Sequence, residues 1–171
     1  MHRSEQDMNT SEHSLVLTRR SVFGAAALLS LGLIVPARAQ SLPEVTVSKD
    51  PNCGCCTAWA EHLRGAGFPV KVADRPDMRA VKARLGVPAE LASCHTAEVA
   101  GYVLEGHVPA SAVIRLLQEK PQAKGLAVPG MPIGSPGMEG GEPETYQVML
   151  FGSQAPRVFA IYRGSDVLRN L

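Results

Sequence analysis

The chain has 171 residues and a formal net charge of +1, because 17 Lys and Arg residues nearly balance 16 Asp and Glu residues. This length suits one domain with a modest hydrophobic core. The basic residues are spread along the sequence and form no basic stripe, so we expect no nucleic-acid partner.

The N-terminus has the features of an export signal. Arg19 and Arg20 precede an apolar run over residues 21–35, which is too short to span a bilayer. The small-x-small pattern of a signal peptidase site follows at residues 37–39. The pattern predicts a cleavable signal peptide over residues 1–39.

The paired arginines resemble a twin-arginine signal, although Val22 stands where such signals usually carry Phe, so Sec export stays open. An uncleaved membrane anchor is the alternative to cleavage. We expect a periplasmic protein whose single domain covers residues 40–171 and which does not contact the membrane after cleavage.

Strands and helices alternate in the first half of this domain. The hydrophobic pattern predicts, in chain order, a strand over residues 44–48, a helix that starts at Thr57, a strand over 68–74 and a helix over 75–86. The stretch CGCC, residues 53–56, therefore lies at a strand-to-helix junction.

The second half is less regular. Extended chain with a turn at Glu105 and Gly106 precedes a third helix, which begins near Pro109. Residues 121–143 are too rich in Gly and Pro for regular structure, and a loop of this length is usually functional or disordered. Two strands over residues 145–152 and 156–164 then predict a C-terminal hairpin.

The CGCC stretch carries Cys53, Cys55 and Cys56, and the chain has one further cysteine, Cys94. Free thiols in an exported protein do not persist without a function. Three interpretations follow. The four cysteines could form two structural disulfides; Cys53 and Cys56 could be the CxxC pair of a thiol-disulfide oxidoreductase; or all four could bind a soft metal.

The position of Cys55 favours the metal site without excluding the other two interpretations. Adjacent Cys55 and Cys56 could bridge each other only with strain. A third thiol inside the CxxC pair would also compete in thiol-disulfide exchange.

Thiolate ligands favour Cu(I), and sets of four also suit zinc. A structural zinc site usually takes two Cys pairs from separate loops, and no second pair exists here. Four thiolates around one Cu(I) would carry a net charge of about −3, whereas bridging several ions would neutralise them. The expected metal is copper, as Cu(I), in a multinuclear site.

Further ligands are expected near these cysteines. His95 adjoins Cys94, and Met131 lies in the Gly/Pro loop, where a thioether does not easily join the core. His107 and Met138 are secondary candidates. His62 is expected on the outer face of the first helix and is left out.

Together, CGCC, the CH pair at residues 94–95 and GMPIGSPGME at residues 130–139 resemble the CopG-type periplasmic copper-resistance proteins, a family of small exported proteins of unassigned domain function. The resemblance covers about residues 44–163. It implies that the four cysteines, His95 and Met131 belong to the metal site.

The resemblance also implies a thioredoxin-like α/β fold, with a mixed sheet, flanking helices and the long Gly/Pro loop before the hairpin. Thioredoxin-like folds place a cis-proline opposite the dithiol. Pro132 is the candidate for that role, and Met131 would then lie beside the thiols.

The resemblance implies copper handling for resistance or homeostasis. Storage of copper and cycling of copper between oxidation states, as a copper oxidoreductase, both stay open. A metal ion is the expected partner, and the ordinary surface pattern identifies no protein partner.

Overall fold

The structure, a computed structural model, describes residues 41–171, so the predicted signal peptide lies outside the described residues. Eight strands are present in this part of the chain: β1 Val45–Lys49, β2 Val70–Asp74, β3 His95–Val99, β4 Tyr102–Glu105, β5 Gly125–Ala127, β6 Thr145–Phe151, β7 Arg157–Arg163 and β8 Asp166–Asn170. Three α-helices accompany them: α1 Gly54–Gly65, α2 Met78–Leu85 and α3 Ala110–Glu119. Among residues 41–171, none of the helices combines the length and hydrophobicity that a membrane-spanning segment needs.

All eight strands form one sheet in the order β2-β1-β3-β4-β5-β6-β7-β8. The pairs β1/β2 and β4/β5 are parallel, and the other neighbours are antiparallel. Parallel neighbours need a crossover connection, which α1 and α3 provide. The predicted α/β class, with a mixed sheet and flanking helices, is confirmed.

Helices cover both faces of the sheet. Trp59 and Leu63 of α1 pack with α3 residues in the larger core cluster, whereas Val81 of α2 packs in a smaller one. Successive side chains of β4 point to opposite faces of the sheet, so Leu104 packs in the larger cluster and Val103 packs in the smaller one. Full burial of a side chain such as Leu104 contributes about 1.5–3 kcal/mol.

The first helix begins earlier than its apolar pattern predicts. Its first residue is Gly54, so Cys55 and Cys56 lie inside the helix and not before its predicted start at Thr57. The apolar side chains that reveal the helical period, such as Trp59, begin one turn later. The cysteines therefore share the geometry of a helix N-terminus.

The hairpin turn of this segment lies before the turn predicted at Glu105 and Gly106, where Gly106, with a φ of 72°, does bend the chain. The register of β3 and β4 pairs Val99 with Tyr102, which leaves Ala100 and Gly101 as a two-residue loop. Both have positive φ, of 47° and 86°, as tight hairpins with a right-handed twist require. Glu105 instead ends β4, on the face of the sheet that α2 covers.

The Gly/Pro segment is not wholly irregular. Residues 125–127 form β5 in the interior of the sheet, between β4 and β6. A Cβ at Gly125 would lie 1.7 Å from the carbonyl oxygen of Val103, so only glycine fits this strand. The predicted hairpin of β6 and β7 is confirmed, and β8, which the sequence pattern did not predict, adds a further strand at the edge.

Candidate metal centre

The turn after β1 places three cysteines at the N-terminus of α1. Cys53 is the N-cap residue, and its side chain makes no capping hydrogen bond. Unpaired amide N–H groups and the helix dipole at such a terminus stabilise a thiolate. Cys53 and Cys56 form a disulfide, whereas Cys55 is a free thiol whose Sγ lies 3.6 Å from Cys53 Sγ.

Cys94 reaches the same group from a neighbouring strand. It directly precedes β3, and the antiparallel register places His95 opposite Lys49, the last residue of β1. The chain that enters β3 and the chain that leaves β1 therefore meet at one end of the sheet. The four Cys sulfur atoms all lie within 4.8 Å of one another.

This geometry brings together all four predicted cysteine ligands. Cys94 is a free thiol, so the interpretation with two structural disulfides is not the arrangement that the structure contains. The Cys53–Cys56 bridge is the pairing expected of a CxxC motif, and it is the one bridge within the described residues.

His107, a secondary candidate in the sequence, makes a close contact with Cys94. It is fully buried, and its Nε2 lies 3.0 Å from Cys94 Sγ. Its Nδ1 lies 2.8 Å from the carbonyl oxygen of Pro136. Because a carbonyl only accepts hydrogen bonds, Nδ1 carries the proton and Nε2 presents its lone pair to the sulfur. A metal-binding histidine is usually oriented in this way.

His95 lies on the other side of Cys94. It is fully buried, its Nδ1 lies 3.3 Å from Cys94 Sγ, and its ring packs 4.3 Å from the ring of Trp59, measured between centroids. Its Nε2 has no hydrogen-bond partner within residues 41–171. Ligand atoms of Cys94, His95 and His107 lie within 4.8 Å of one another, so they form a second group that could hold a metal ion.

Burial controls the protonation of these groups. Desolvation, followed by the nearby Cys55, raises the pKa of Cys94 to about 12. Desolvation also lowers the pKa of His107, and it lowers the pKa of His95 well below its usual value, with help from His107 and Lys82. The imidazoles are therefore neutral at pH 7, which is the form that binds metals.

The Gly/Pro loop packs against the chain segments that carry the cysteines. A Cβ at Gly137 would lie 2.7 Å from the carbonyl oxygen of Cys55 and 2.8 Å from the amide nitrogen of Trp59. The loop thus lies directly against the first turn of α1. On the opposite side, the Ser93 hydroxyl donates a hydrogen bond to the carbonyl oxygen of Gly130. This loop therefore forms a wall of the site.

The two candidate methionines lie in this loop. Met131 follows Gly130 and is 52% exposed, which places it at the surface of the loop. Met138 follows Gly137 and is half-buried, and its carbonyl oxygen accepts a hydrogen bond from the Gly134 amide. Their roles as metal ligands stay predictions.

His62 does not lie on an exposed face, contrary to expectation. Its Nε2 accepts a hydrogen bond of 3.1 Å from the amide of Ala110, the first residue of α3. Burial lowers its pKa. This histidine serves as a cap for α3.

Sequence reasoning missed the ion pair behind Cys94. Glu105 is fully buried, and its Oε1 lies 2.5 Å from Lys82 Nζ. An acidic residue directly after the buried pair Val103 and Leu104 was the available signal, because a charge is seldom buried unless it is paired.

Known proteins are similar to this chain in sequence and fold. Residues 91–138 match the family described as "Protein of unknown function, DUF411". A solved structure described as "Copper resistance protein copG- Form 1" is 46% identical, with a TM-score of 0.67, and the match covers 72% of this chain and 99% of that chain. The chain belongs to the CopG-type copper-resistance family.

A second solved CopG structure, described as "Form 2", is also 46% identical, with a TM-score of 0.68 and coverage of 71% of this chain and 98% of that chain. Comparison with curated proteins gave no match. Membership in the CopG-type family confirms the resemblance stated from the sequence. Together with the cysteine group, it supports a copper-related function with a metal ion as partner.

Proposed function

We propose that this protein binds copper as Cu(I) in the periplasm and thereby contributes to copper resistance. The observation that carries the proposal is the convergence of four Cys sulfur atoms within 4.8 Å, in a chain similar to copper-resistance proteins. Thiolates are the protein ligands that Cu(I) prefers.

Several ions bridged by the thiolates fit this donor set better than a single ion does. Four thiolates so close together repel one another, and bridging Cu(I) ions would cancel their charges. His95 and His107 supply neutral nitrogen ligands beside Cys94. Met131, and secondarily Met138, would add thioethers from the loop. The site is therefore proposed to be multinuclear.

Loading this site with copper requires that the Cys53–Cys56 bridge first be reduced. A dithiol reductant would supply the two electrons and two protons that convert this disulfide to two thiols, and it would itself be oxidised to a disulfide. Copper then displaces the thiol protons. The bridged form retains two free thiols, Cys55 and Cys94. The proposed copper-binding form is the one with four thiolates.

The proposed fold is a thioredoxin-like core whose sheet is extended by C-terminal strands. Its support is the element order β1-α1-β2-α2-β3-β4-α3, with strands in the spatial order β2-β1-β3-β4 and a CxxC motif at the start of α1. Strands β5 to β8 would be the addition. The role of Pro132 as a cis-proline stays a prediction, as does export by the signal peptide over residues 1–39.

A thiol-disulfide oxidoreductase is the second candidate function. The observation that favours it is the Cys53–Cys56 bridge at a helix N-terminus, which is the usual position of a redox-active CxxC pair. Cys55 counts against it, because its Sγ lies 3.6 Å from Cys53 Sγ and would compete in exchange.

One experiment separates these functions. The protein is purified from copper-supplemented periplasm, and bound metal and free thiols are measured before and after chelation. Stoichiometric Cu(I), with all four thiols recovered on chelation, supports the proposal. Absence of copper together with dithiol-dependent reduction of insulin through Cys53 and Cys56 would establish the oxidoreductase instead.

A further inference from the structure

The ion pair between Lys82 and Glu105 lies directly behind the candidate metal centre. Glu105, at the end of β4, is fully buried, and the Lys82 side chain, on α2, is 14% exposed. Removing both charges from water costs more than their attraction usually returns, so an apolar pair of similar volume would give equal or greater stability. Fold stability alone does not account for this pair.

The hydrogen bonds of Glu105 indicate what the pair does. Its Oε1 also accepts from the Ser93 amide at 2.6 Å, and its Oε2 accepts from the Thr96 hydroxyl at 2.7 Å. Lys82 Nζ donates to the same Thr96 hydroxyl oxygen at 3.0 Å. The carboxylate therefore holds the chain just before Cys94 and just after His95.

Cys94 is thus tied to the segment that carries His107. The Ser93 amide, before Cys94, binds the Glu105 side chain, and the His95 carbonyl oxygen, after it, accepts from the Gly106 amide at 3.0 Å. His107 follows Gly106 directly. Both neighbours of Cys94 are therefore anchored to residues 105 and 106, which fixes the Cys94 Sγ–His107 Nε2 contact at 3.0 Å.

We infer that Glu105, held by Lys82, is a positioning residue that sets Cys94 and His107 at the spacing a copper ion requires. The inference rests on the proposed function. Glu105 touches no metal in this account and acts through the Ser93 amide. Its charge gives a stronger hydrogen bond to that amide than a neutral acceptor would.

Two double variants separate positioning from stability. Replacing Glu105 alone would leave the Lys82 cation buried without a counter-ion, which is itself destabilising. Lys82→Met/Glu105→Gln removes both charges but keeps an oxygen that accepts from Ser93. Lys82→Met/Glu105→Leu removes the charges and the acceptor. Glu98→Gln is the control, because Glu98 faces Arg84 of α2 across 3.7 Å in an exposed pair.

Cu(I) affinity is measured on the reduced proteins by competition with a chromophoric chelator, and urea unfolding reports stability. Loss of a group that orients a metal ligand typically costs about 10–100-fold in affinity, and we expect at least tenfold for Lys82→Met/Glu105→Leu. The Gln double variant should lie between wild type and the Leu variant, because its neutral oxygen still accepts from the Ser93 amide but more weakly. Glu98→Gln should stay within about threefold of wild type. A folded Leu variant with wild-type affinity, or a folded Gln variant as weak as the Leu variant, would overturn the inference.

A metal-free measurement keeps this test separate from the proposed function. In a Cys55→Ser background with the Cys53–Cys56 bridge intact, Cys94 is the one free thiol, and iodoacetamide alkylation reports how firmly it is held. The Leu double variant should react several-fold faster than the Gln one. Equal alkylation rates contradict positioning by Glu105. Failure of the wild type to bind copper contradicts the proposed function, and with it the copper role of Glu105.

Discussion

The candidate metal centre has two sides that are built in different ways. The sulfur side consists of Cys53, Cys55 and Cys56, which lie together at the start of α1. Cys53 and Cys55 are half-buried. The imidazole side, His95 and His107, comes from the start of β3 and the chain after β4 and is fully buried. Cys94 belongs to both sides. The sulfur side is therefore partly open to solvent, whereas the imidazole side is enclosed by protein.

The largest effect is expected where the two sides meet. Replacing Cys94 by serine removes the sulfur shared by both groups of ligands. Loss of a group outside the ligand shell already costs about 10–100-fold in metal affinity, so loss of this ligand should cost more. The copper content of the purified variant and competition for Cu(I) with a chelator measure this loss of affinity. Affinity within threefold of wild type would show that the two sides do not share a metal ion.

Cys55→Ser tests the sulfur side alone. We expect greatly reduced copper binding, because the variant keeps the Cys53–Cys56 pair and loses the thiol that distinguishes this motif from an ordinary CxxC. Thiol titration of the unreduced variant should find one free thiol in place of two, with the bridge intact. Unchanged copper binding would show that Cys55 is not a copper ligand and that the motif is an ordinary CxxC pair.

His107→Gln tests the imidazole side. Its Nε2 lies 3.0 Å from Cys94 Sγ, so we expect a loss of about tenfold in Cu(I) affinity. His62→Gln is the matched control, since His62 is a half-buried histidine that caps α3 and is not among the candidate ligands. If His107→Gln and His62→Gln bind copper equally well, the proposal that His107 is a copper ligand is wrong.

Gly137→Ala tests the loop that covers the sulfur side and should have the smallest effect on copper. The new Cβ would lie 2.7 Å from the Cys55 carbonyl oxygen, and φ is +85°, so we expect a loss of about 2 kcal/mol in the free energy of unfolding. Gly130→Ala has a similar φ of +69° in open space and should cost less. If Gly137→Ala and Gly130→Ala lower the free energy of unfolding in urea equally, the loop does not pack tightly against α1 at Gly137.

The contrast between the two sides also explains what the sequence could reveal. The sulfur side was predictable because its three cysteines lie within four residues of the chain and follow a recognisable strand. His107 was only a secondary candidate, since nothing local shows that β3 and β4 form a hairpin whose tight turn at Ala100 and Gly101 brings it to Cys94. The contact between His107 and Cys94 depends on the register of β3 and β4, and this register is a tertiary property.

The same reason accounts for the features that sequence reasoning missed. β5 is a strand only because Gly125 fits against Val103, a contact between segments far apart in the chain. Glu105 looked like a turn residue because its partner, Lys82, lies on a helix that precedes it by more than twenty residues. Local pattern identified the helices and the terminal hairpin, whereas buried polar contacts required the fold.

The central claim is that one copper site takes sulfur from all four cysteines and nitrogen from the imidazole side. X-ray absorption at the copper edge of the reduced, copper-loaded protein tests it most directly. The account predicts Cu(I), with sulfur as the main ligand, copper–copper scattering from bridged ions, and a nitrogen contribution that falls in His107→Gln. Copper bound by nitrogen and oxygen alone, without sulfur scattering, would contradict it.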